Sequence, residues 1–434
     1  MNVKNILSSV FSNLTPSSTL YINETVNQRW QRGEQLFHMG FGESRFDVHP
    51  KLQQALTSNV HRKSYLPSKG LPDLCTAVAG YYSTKLKQDV KSSQVIIGPG
   101  SKSLIFSLQM ALEADLFLPA PSWVSYEPQA RLLNRKASYI PATAESGYAF
   151  DLEAFDRLVQ ASDNPLKLLV INSPNNPTGQ MLTAEFLETL ANYCREQSIL
   201  VLSDEIYFQV VHGNQQHVSI SKYYPEGSFV LGGLSKHLSI GGWRLGLAIL
   251  PDNEIGAKLM PALQVIASET WSSVPAPIQF AAIVAYSNDA DLEKYIGNCA
   301  MIHGIRTRHI YHHLVSLGVQ CTKPIGAFYI TANFDRWKPE LQAKGITNSK
   351  QLANHLLEHF AIAGLPTDAF GIPESELSLR LATSYLDFET DKDASRLYDL
   401  FCTGISAESY MNKKHHPNTA AALAAFENFT TGLR

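Results

Sequence analysis

"LKLLVINSPNNPTG", residues 166–179, runs through an apolar, β-branched stretch and then stops in a cluster of asparagine, proline and glycine. A short apolar run closed by turn-forming residues reads as a strand buried on both faces. The same figure recurs in "QVIIGPG" (94–100), "DLFLPAPSW" (115–123), "SILVLSDEIY" (198–207), "SFVLGGLSK" (228–236) and "LGLAILP" (245–251). Between such runs lie stretches with helical spacing, "AEFLETLANYCREQ" (184–197) among them. Strands that alternate with amphipathic helices predict an α/β domain over residues 50–287, built on a mostly parallel sheet covered on both faces.

Beyond it, residues 276–317 read as long helix with at least one break. "GAFYITANFD" (326–335) and "LSLRLATSYLDF" (377–388) read as strands around a helix in "SKQLANHLLEHFAIAG" (349–364). These predict a smaller α+β domain from residues 288–405, with residues 1–49 packed against it. Residues 406–434 form a helical tail, with Asn418 as the expected N-cap. His415 and His416 are expected in a surface turn and not on a metal.

The chain has 434 residues, 44% of them hydrophobic, and a formal net charge of −3. It is long enough for a sizeable core and carries no basic footprint for nucleic acid or an anionic membrane. Its five cysteines are odd in number and form no CxxC pair, so neither a disulfide framework nor a zinc site is expected. The opening "MNVKNILSSVFSNLTPSS" is too weakly apolar for a signal peptide, and no run reaches the ~18 apolar residues of a spanning helix. A soluble, cytoplasmic protein is expected, with the sequons at Asn13, Asn23 and Asn428 as chance matches.

In open α/β sheets ligands collect at the carboxyl ends of strands, and here those ends are unusually polar. "GPGSKS" (98–103) opens a helix whose free N–H groups, beginning at the Gly100 turn, can hold a phosphate. Asp204 follows a buried strand and needs a cationic partner or a raised pKa. Trp123 offers a flat face. In "GGLSKHLSIGGWRLG" (232–246), Arg244 can fork onto phosphate, while a desolvated Lys236 can become a nucleophile toward an aldehyde. One ligand has an aldehyde, a phosphate, an aromatic ring and a protonated ring nitrogen together: pyridoxal 5′-phosphate.

With these motifs the chain, from "FHMGFGE" (37–43) to "RLATSY" (380–385), resembles the class I/II aminotransferases of fold type I, and among them the bacterial aspartate/aromatic subgroup. The resemblance implies a large domain with a seven-stranded, mostly parallel sheet. It implies that Lys236 binds the cofactor covalently and Asp204 pairs with the pyridine nitrogen, while Asn176 and Tyr207 bond the phenolic oxygen. Trp123 would stack on the ring, and Ser101 and Lys102 backbone groups, with Arg244, would bind the phosphate. Tyr65 of "YLPSKG" would reach the phosphate of a neighbouring subunit, which implies a homodimer. Arg380, helped by the Gly42 backbone, would grip the substrate α-carboxylate as a bidentate pair.

Two departures stand out. The serine often found three positions before the lysine is Gly233 here, which leaves Ser235 as a replacement phosphate donor. "GESRFD" (42–47) replaces the usual "GEPDFD" and puts Ser44 and Arg45 near the substrate entrance. The expected reaction is ping-pong transfer of an α-amino group from an L-amino acid, aspartate or aromatic, to a 2-oxo acid such as 2-oxoglutarate. A C–S β-lyase or cyclopropane-forming synthase would use nearly the same residues. A ligand-sensing regulatory domain would need a basic helix-turn-helix module, and none precedes residue 40. Lys69, Arg45 and Lys102 are candidates for a distal substrate carboxylate, and Trp271 of "SETWSS" (268–273) for an apolar pocket wall.

Overall fold

The computed structural model describes residues 8, 11 and 16–433. The readings of the first residues as lacking a signal peptide and of the Asn13 sequon lie outside them. After β1 (Phe37–His38) come seven strands, β2 (Val95–Gly98), β3 (Asp115–Pro119), β4 (Ala137–Ile140), β5 (Lys167–Asn172), β6 (Leu200–Asp204), β7 (Ser228–Gly233) and β8 (Gly246–Ile249). They form one sheet in the order β2-β8-β7-β6-β5-β3-β4, parallel except for β8, which runs against both neighbours.

Successive side chains of a strand point to opposite faces, and both faces here meet helices. Leu168 and Val170 of β5 join one buried cluster, with Leu104, Leu108 and Leu263. Leu169 and Ile171 join another, with Phe155, Leu187 and Leu190. That two-sided burial is why the strand text is a continuous apolar run and not an alternation. Within this sheet the sequence reading missed only β4, whose "ASYI" is an edge strand with three half-buried residues.

The sheet also sets the site. Asn172 at the end of β5 is paired in register with Asp204 at the end of β6. Gly246, the first residue of β8, pairs with both Gly98 and Gly233. The loop that carries Lys236 and Arg244 therefore leaves the sheet and re-enters it beside the Gly100 turn.

Four further strands, β9 (Gln320–Cys321), β10 (Tyr329–Asn333), β12 (Leu365–Pro366) and β13 (Ser378–Ala382), make a second sheet. β11 (Ile362–Ala363) pairs in parallel with β1 and so ties the N-terminal segment to this part. The helix-with-break reading of residues 276–317 resolves into helices Ala276–Ala285 and Ala290–Leu317. The final helix, Pro417–Thr431, places Leu423, Phe426 and Phe429 in the apolar cluster of this sheet.

Two expectations for the tail are corrected. The helix starts at Pro417 with His416 in the cap position, so Asn418 lies inside the first turn. Proline at the first helical position is the stronger start signal, because its missing N–H is not needed there. His416 is 1% exposed and not in a surface turn; it packs on Tyr410 beside Asp387. Among the described residues no helix is long and apolar enough to cross a membrane.

Candidate active site

A cavity of about 510 Å³ opens where the carboxyl ends of the large sheet face the second sheet. Lys236, Asp204, Tyr207, Asn176, Arg244, Arg380, Trp123, Ser101, Lys102 and Gly42 all line it. The sequence expectation for these ten residues thus meets one space, drawn from positions 42 to 380.

Lys236 donates from Nζ to the Gly42 carbonyl at 2.8 Å. Burial lowers its pKa to about 8; Glu43 and Asp204 oppose that shift while Arg380 and Arg244 reinforce it. A lysine so placed is in part a neutral amine near pH 8, the form that attacks a carbonyl. Tyr207 holds its hydroxyl 2.7 Å from that of Tyr329.

Asp204 is 3% exposed. Desolvation raises its carboxyl to about 6, against the bonds it accepts from the Tyr126 hydroxyl (2.8 Å) and the Ile206 N–H (3.2 Å). A buried carboxylate bonded only by neutral donors, with Lys236 acting on it through space, is suited to a cationic partner in direct contact. Asn172, read from sequence as part of a turn, holds the corner: its Nδ2 donates to the Asp204 carbonyl and its Oδ1 accepts from the Asn176 N–H, both at 2.8 Å. Tyr126 and Asn172 are candidate residues that the sequence does not single out. Their signal was position, at a strand end and three residues past Trp123, and not residue type.

The anion cradle is built by close approach. Gly100 has φ +86, and a Cβ there would run into the Arg244 guanidinium. Arg244 donates to the carbonyls of Gly241 and Pro99, at 2.8 and 3.3 Å, which aims the fork at the start of helix Ser101–Ala111. Gly233, the departure noted above, sits where a Cβ would lie 2.8 Å from the Leu245 carbonyl oxygen. A serine does not fit that backbone, and Ser235 lines the cavity in its place. Lys102 stands 5.0 Å over the Trp123 ring, its pKa lowered first by burial and then by Arg244.

Arg380 is 1% exposed, bonds Asn176 Oδ1 at 3.5 Å and the Gly40 carbonyl, and leaves Nε without a partner. No carboxylate pairs with it among the described residues. A buried guanidinium left in this state is suited to an incoming carboxylate. An orphaned cation, a carboxylate bonded only by neutral donors, a cradle a Cβ would fill and a desolvated lysine match the four groups of pyridoxal phosphate and its amino acid.

Other candidates fall elsewhere. Tyr65 is 90% exposed and does not line this cavity. Arg45 does not point at the cavity: Glu43, Tyr385 and the carbonyls of Phe388 and Glu389 hold it. Lys69 donates to the Ser92 carbonyl, and Trp271 packs on the cluster around Leu263. Ser17 and Thr19, at the start of helix Ser18–Gln31, line the cavity although sequence reading assigned them nothing.

Comparison with known proteins agrees with this geometry. The family profile "Aminotransferase class I and II" matches residues 34–394. An aspartate aminotransferase of Bacillus subtilis is 32% identical over 382 residues, 86% of this chain and 93% of the relative. An asparagine–oxo-acid transaminase of Streptococcus mutans is 30% identical, over 84% and 90% of the two chains. Among solved structures, the aspartate aminotransferase of Thermus thermophilus with maleate superposes with a TM-score of 0.79 at 25% identity, covering 92% of this chain and 99% of the other. The chain therefore belongs to the class I and II aminotransferases, and is a fold type I, pyridoxal-phosphate-dependent transaminase that moves amino groups to 2-oxo acids.

Proposed function

We propose that the enzyme takes its amino group from a dicarboxylic L-amino acid, aspartate first, and gives it to 2-oxoglutarate. The observation that carries this reading is that two cations line one cavity, Arg380 with its free Nε and Lys102 beside Trp123. Arg380 takes the α-carboxylate as a fork. Lys102, with the Ser17 and Thr19 hydroxyls, meets the distal carboxylate. The name of the Bacillus relative, an aspartate aminotransferase, supports the same donor class, while the Streptococcus relative is named for the corresponding amide, asparagine. Trp123 and Phe41 bring aromatic faces to the same cavity, which gives phenylalanine a secondary place.

Bound pyridoxal phosphate supplies the carbonyl that takes up the amino group and the ring that accepts the electron pair left at Cα. The protein does the rest. Lys236, once free and neutral, removes the proton from Cα and returns it on the other side of the exchange. Asp204 as carboxylate keeps the ring nitrogen protonated, with Tyr126 holding the carboxylate in place. Asn176 and Tyr207 bond the phenolic oxygen, Trp123 covers the ring, and Arg244 with the N–H groups of Ser101 and Lys102 at the Gly100 turn takes the phosphate. The Gly42 carbonyl holds the Lys236 amine in line.

Tyr65, solvent-facing in the single chain, fits a homodimer in which it reaches the phosphate of the partner subunit. Separate apolar clusters on the two sheets support a cofactor-binding and a smaller domain, although Phe46, Leu292, Ile302 and Leu397 pack with Leu74 and Leu247, so the segments next to residues 49 and 288 lean on the large part. Five unpaired thiols suit work in the cytoplasm. A panel of amino donors with 2-oxoglutarate, read by the absorbance of the aminated cofactor, tests the substrate. Faster turnover of aspartate than of phenylalanine is expected, and inactivity toward aspartate rules the assignment out.

A further inference from the structure

The strap over Lys236 carries serine at position 44, where the similar family pattern has proline. Ser44 is 2% exposed, with Oγ 2.6 Å from Ser239 Oγ and 3.0 Å from His303 Nε2. The three side chains come from three segments: the strap that presents the Gly42 carbonyl, the loop that carries Lys236, and the helix Ala290–Leu317. Proline could form neither bond.

We infer that Ser44 is a positioning residue for Lys236: through Ser239 and His303 it fixes the Gly42 carbonyl against the Lys236 amine. This rests on the reading that Lys236 holds the cofactor. The polarity of the chain of bonds follows from burial. His303 packs between Phe46 and Phe328, at ring distances of 5.1 and 4.7 Å, and burial keeps it neutral, with a single N–H. Its Nδ1 has no partner. A buried N–H without an acceptor is less tolerable than a bare lone pair, so Nε2 carries the proton and donates to Ser44. The Ser44 hydroxyl then donates to Ser239.

Two contacts now join strap and loop, Ser44 to Ser239 and Gly42 to Lys236, two residues apart on one side and three on the other. Either contact alone leaves a hinge; together they close a short ring. Ser239 has φ +59, a conformation that a serine keeps only where its surroundings insist on it, and the Ser44 hydroxyl is one such constraint. Around Lys236 stand Glu43, Asp204, Arg380 and Arg244, with the rings of Tyr207 and Phe328 at 5.7 and 5.9 Å. Movement of the strap changes the distances to Gly42 and Glu43 first.

The test is a pH titration of the bound-cofactor absorbance in the holoenzyme, with kcat, KM and melting temperature, for S44A, S44T, H303L and H303Q. S44A and H303L are expected to move the chromophore's apparent pKa by about half a unit or more and to lower kcat about tenfold, with KM nearly unchanged. S44T and H303Q keep a hydroxyl or an N–H donor and are expected to titrate as wild type. A wild-type titration and kcat in S44A, whatever its melting temperature, overturns the inference, as does S44T behaving like S44A. Should S44A not fold, the H303L and H303Q pair decides by the same criteria. Failure of wild type to give a borohydride-fixed adduct on Lys236 would instead sink the functional reading beneath it.

Discussion

Tyr126 donates its hydroxyl to Asp204 Oδ2 at 2.8 Å, inside a pocket that has pushed the carboxyl up to about 6. That bond works against the rise, because it favours the charged acceptor. Tyr126→Phe is therefore expected to raise the Asp204 pKa further and to weaken its hold on a ring nitrogen. Hydrogen bonds to charged groups contribute about 1.5–3 kcal/mol, so kcat should fall on the order of tenfold to a hundredfold. Steady-state kinetics at pH 8 would read it, and a variant within twofold of wild type would deny Tyr126 that role.

Asp204 and Lys236 also make the stability of the cofactor-free protein depend on pH. The Asp204 pKa rises on folding, so its contribution is fully present below about pH 4 and is lost as pH climbs through about 6. The Lys236 pKa falls on folding to about 8, so its contribution is present at high pH and is lost as pH drops through that value. Between pH 6 and 8 both penalties are in force. Cofactor-free Asp204→Asn should exceed wild type by up to about 3 kcal/mol at pH 8 and lose that advantage near pH 4. Denaturant unfolding at the two pH values measures the difference.

Arg380→Lys keeps the charge and loses the fork. The KM for amino acids should rise on the order of a hundredfold, while the slow reaction of an amine that lacks a carboxylate should change little. Equal losses for both kinds of donor would mean that Arg380 supports the fold and not the substrate.

Tyr65 can be tested by complementation. Tyr65→Phe and Lys236→Ala should each be impaired as homodimers. In a hybrid dimer, the subunit that keeps Lys236 would receive an intact Tyr65 from its partner. Mixing and refolding the two variants should recover activity, and no recovery despite hybrid formation would place Tyr65 outside the site.

Six of seven sheet strands were legible in the sequence, and so were Lys236, Arg244, Asp204, Trp123 and the helix start at Ser101 and Lys102, because each announces itself locally; Asn176, Tyr207, Gly42 and Arg380, which line the same cavity, came only with the family resemblance. An apolar run ends, and a residue of unusual chemistry follows it. Tyr126 and Asn172 are different. A tyrosine near a tryptophan and an asparagine in a turn have ordinary local explanations, and only the register that sets Asn172 beside Asp204 gives them work. Arg45 misled for the opposite reason: it is a cation near the substrate strap, but carbonyls at 388 and 389, far off in the sequence, turn it away. His416 was taken for surface because Asp387 and Tyr410, which bury it, are distant or unremarkable in the text.

The reversal of β8 fixes the span between two cations. Because Gly233 and Gly246 pair across adjacent strands, the intervening loop is a hairpin whose feet are bolted to the sheet. Leu238 and Ile240 bury the crown of this hairpin, so a residue inserted there would push Ser239 off Ser44, while one added at either foot would slip the register and carry the guanidinium of Arg244 away from its cradle. Engineering that retunes this enzyme therefore has little latitude in the length of that loop, at the crown or at the feet.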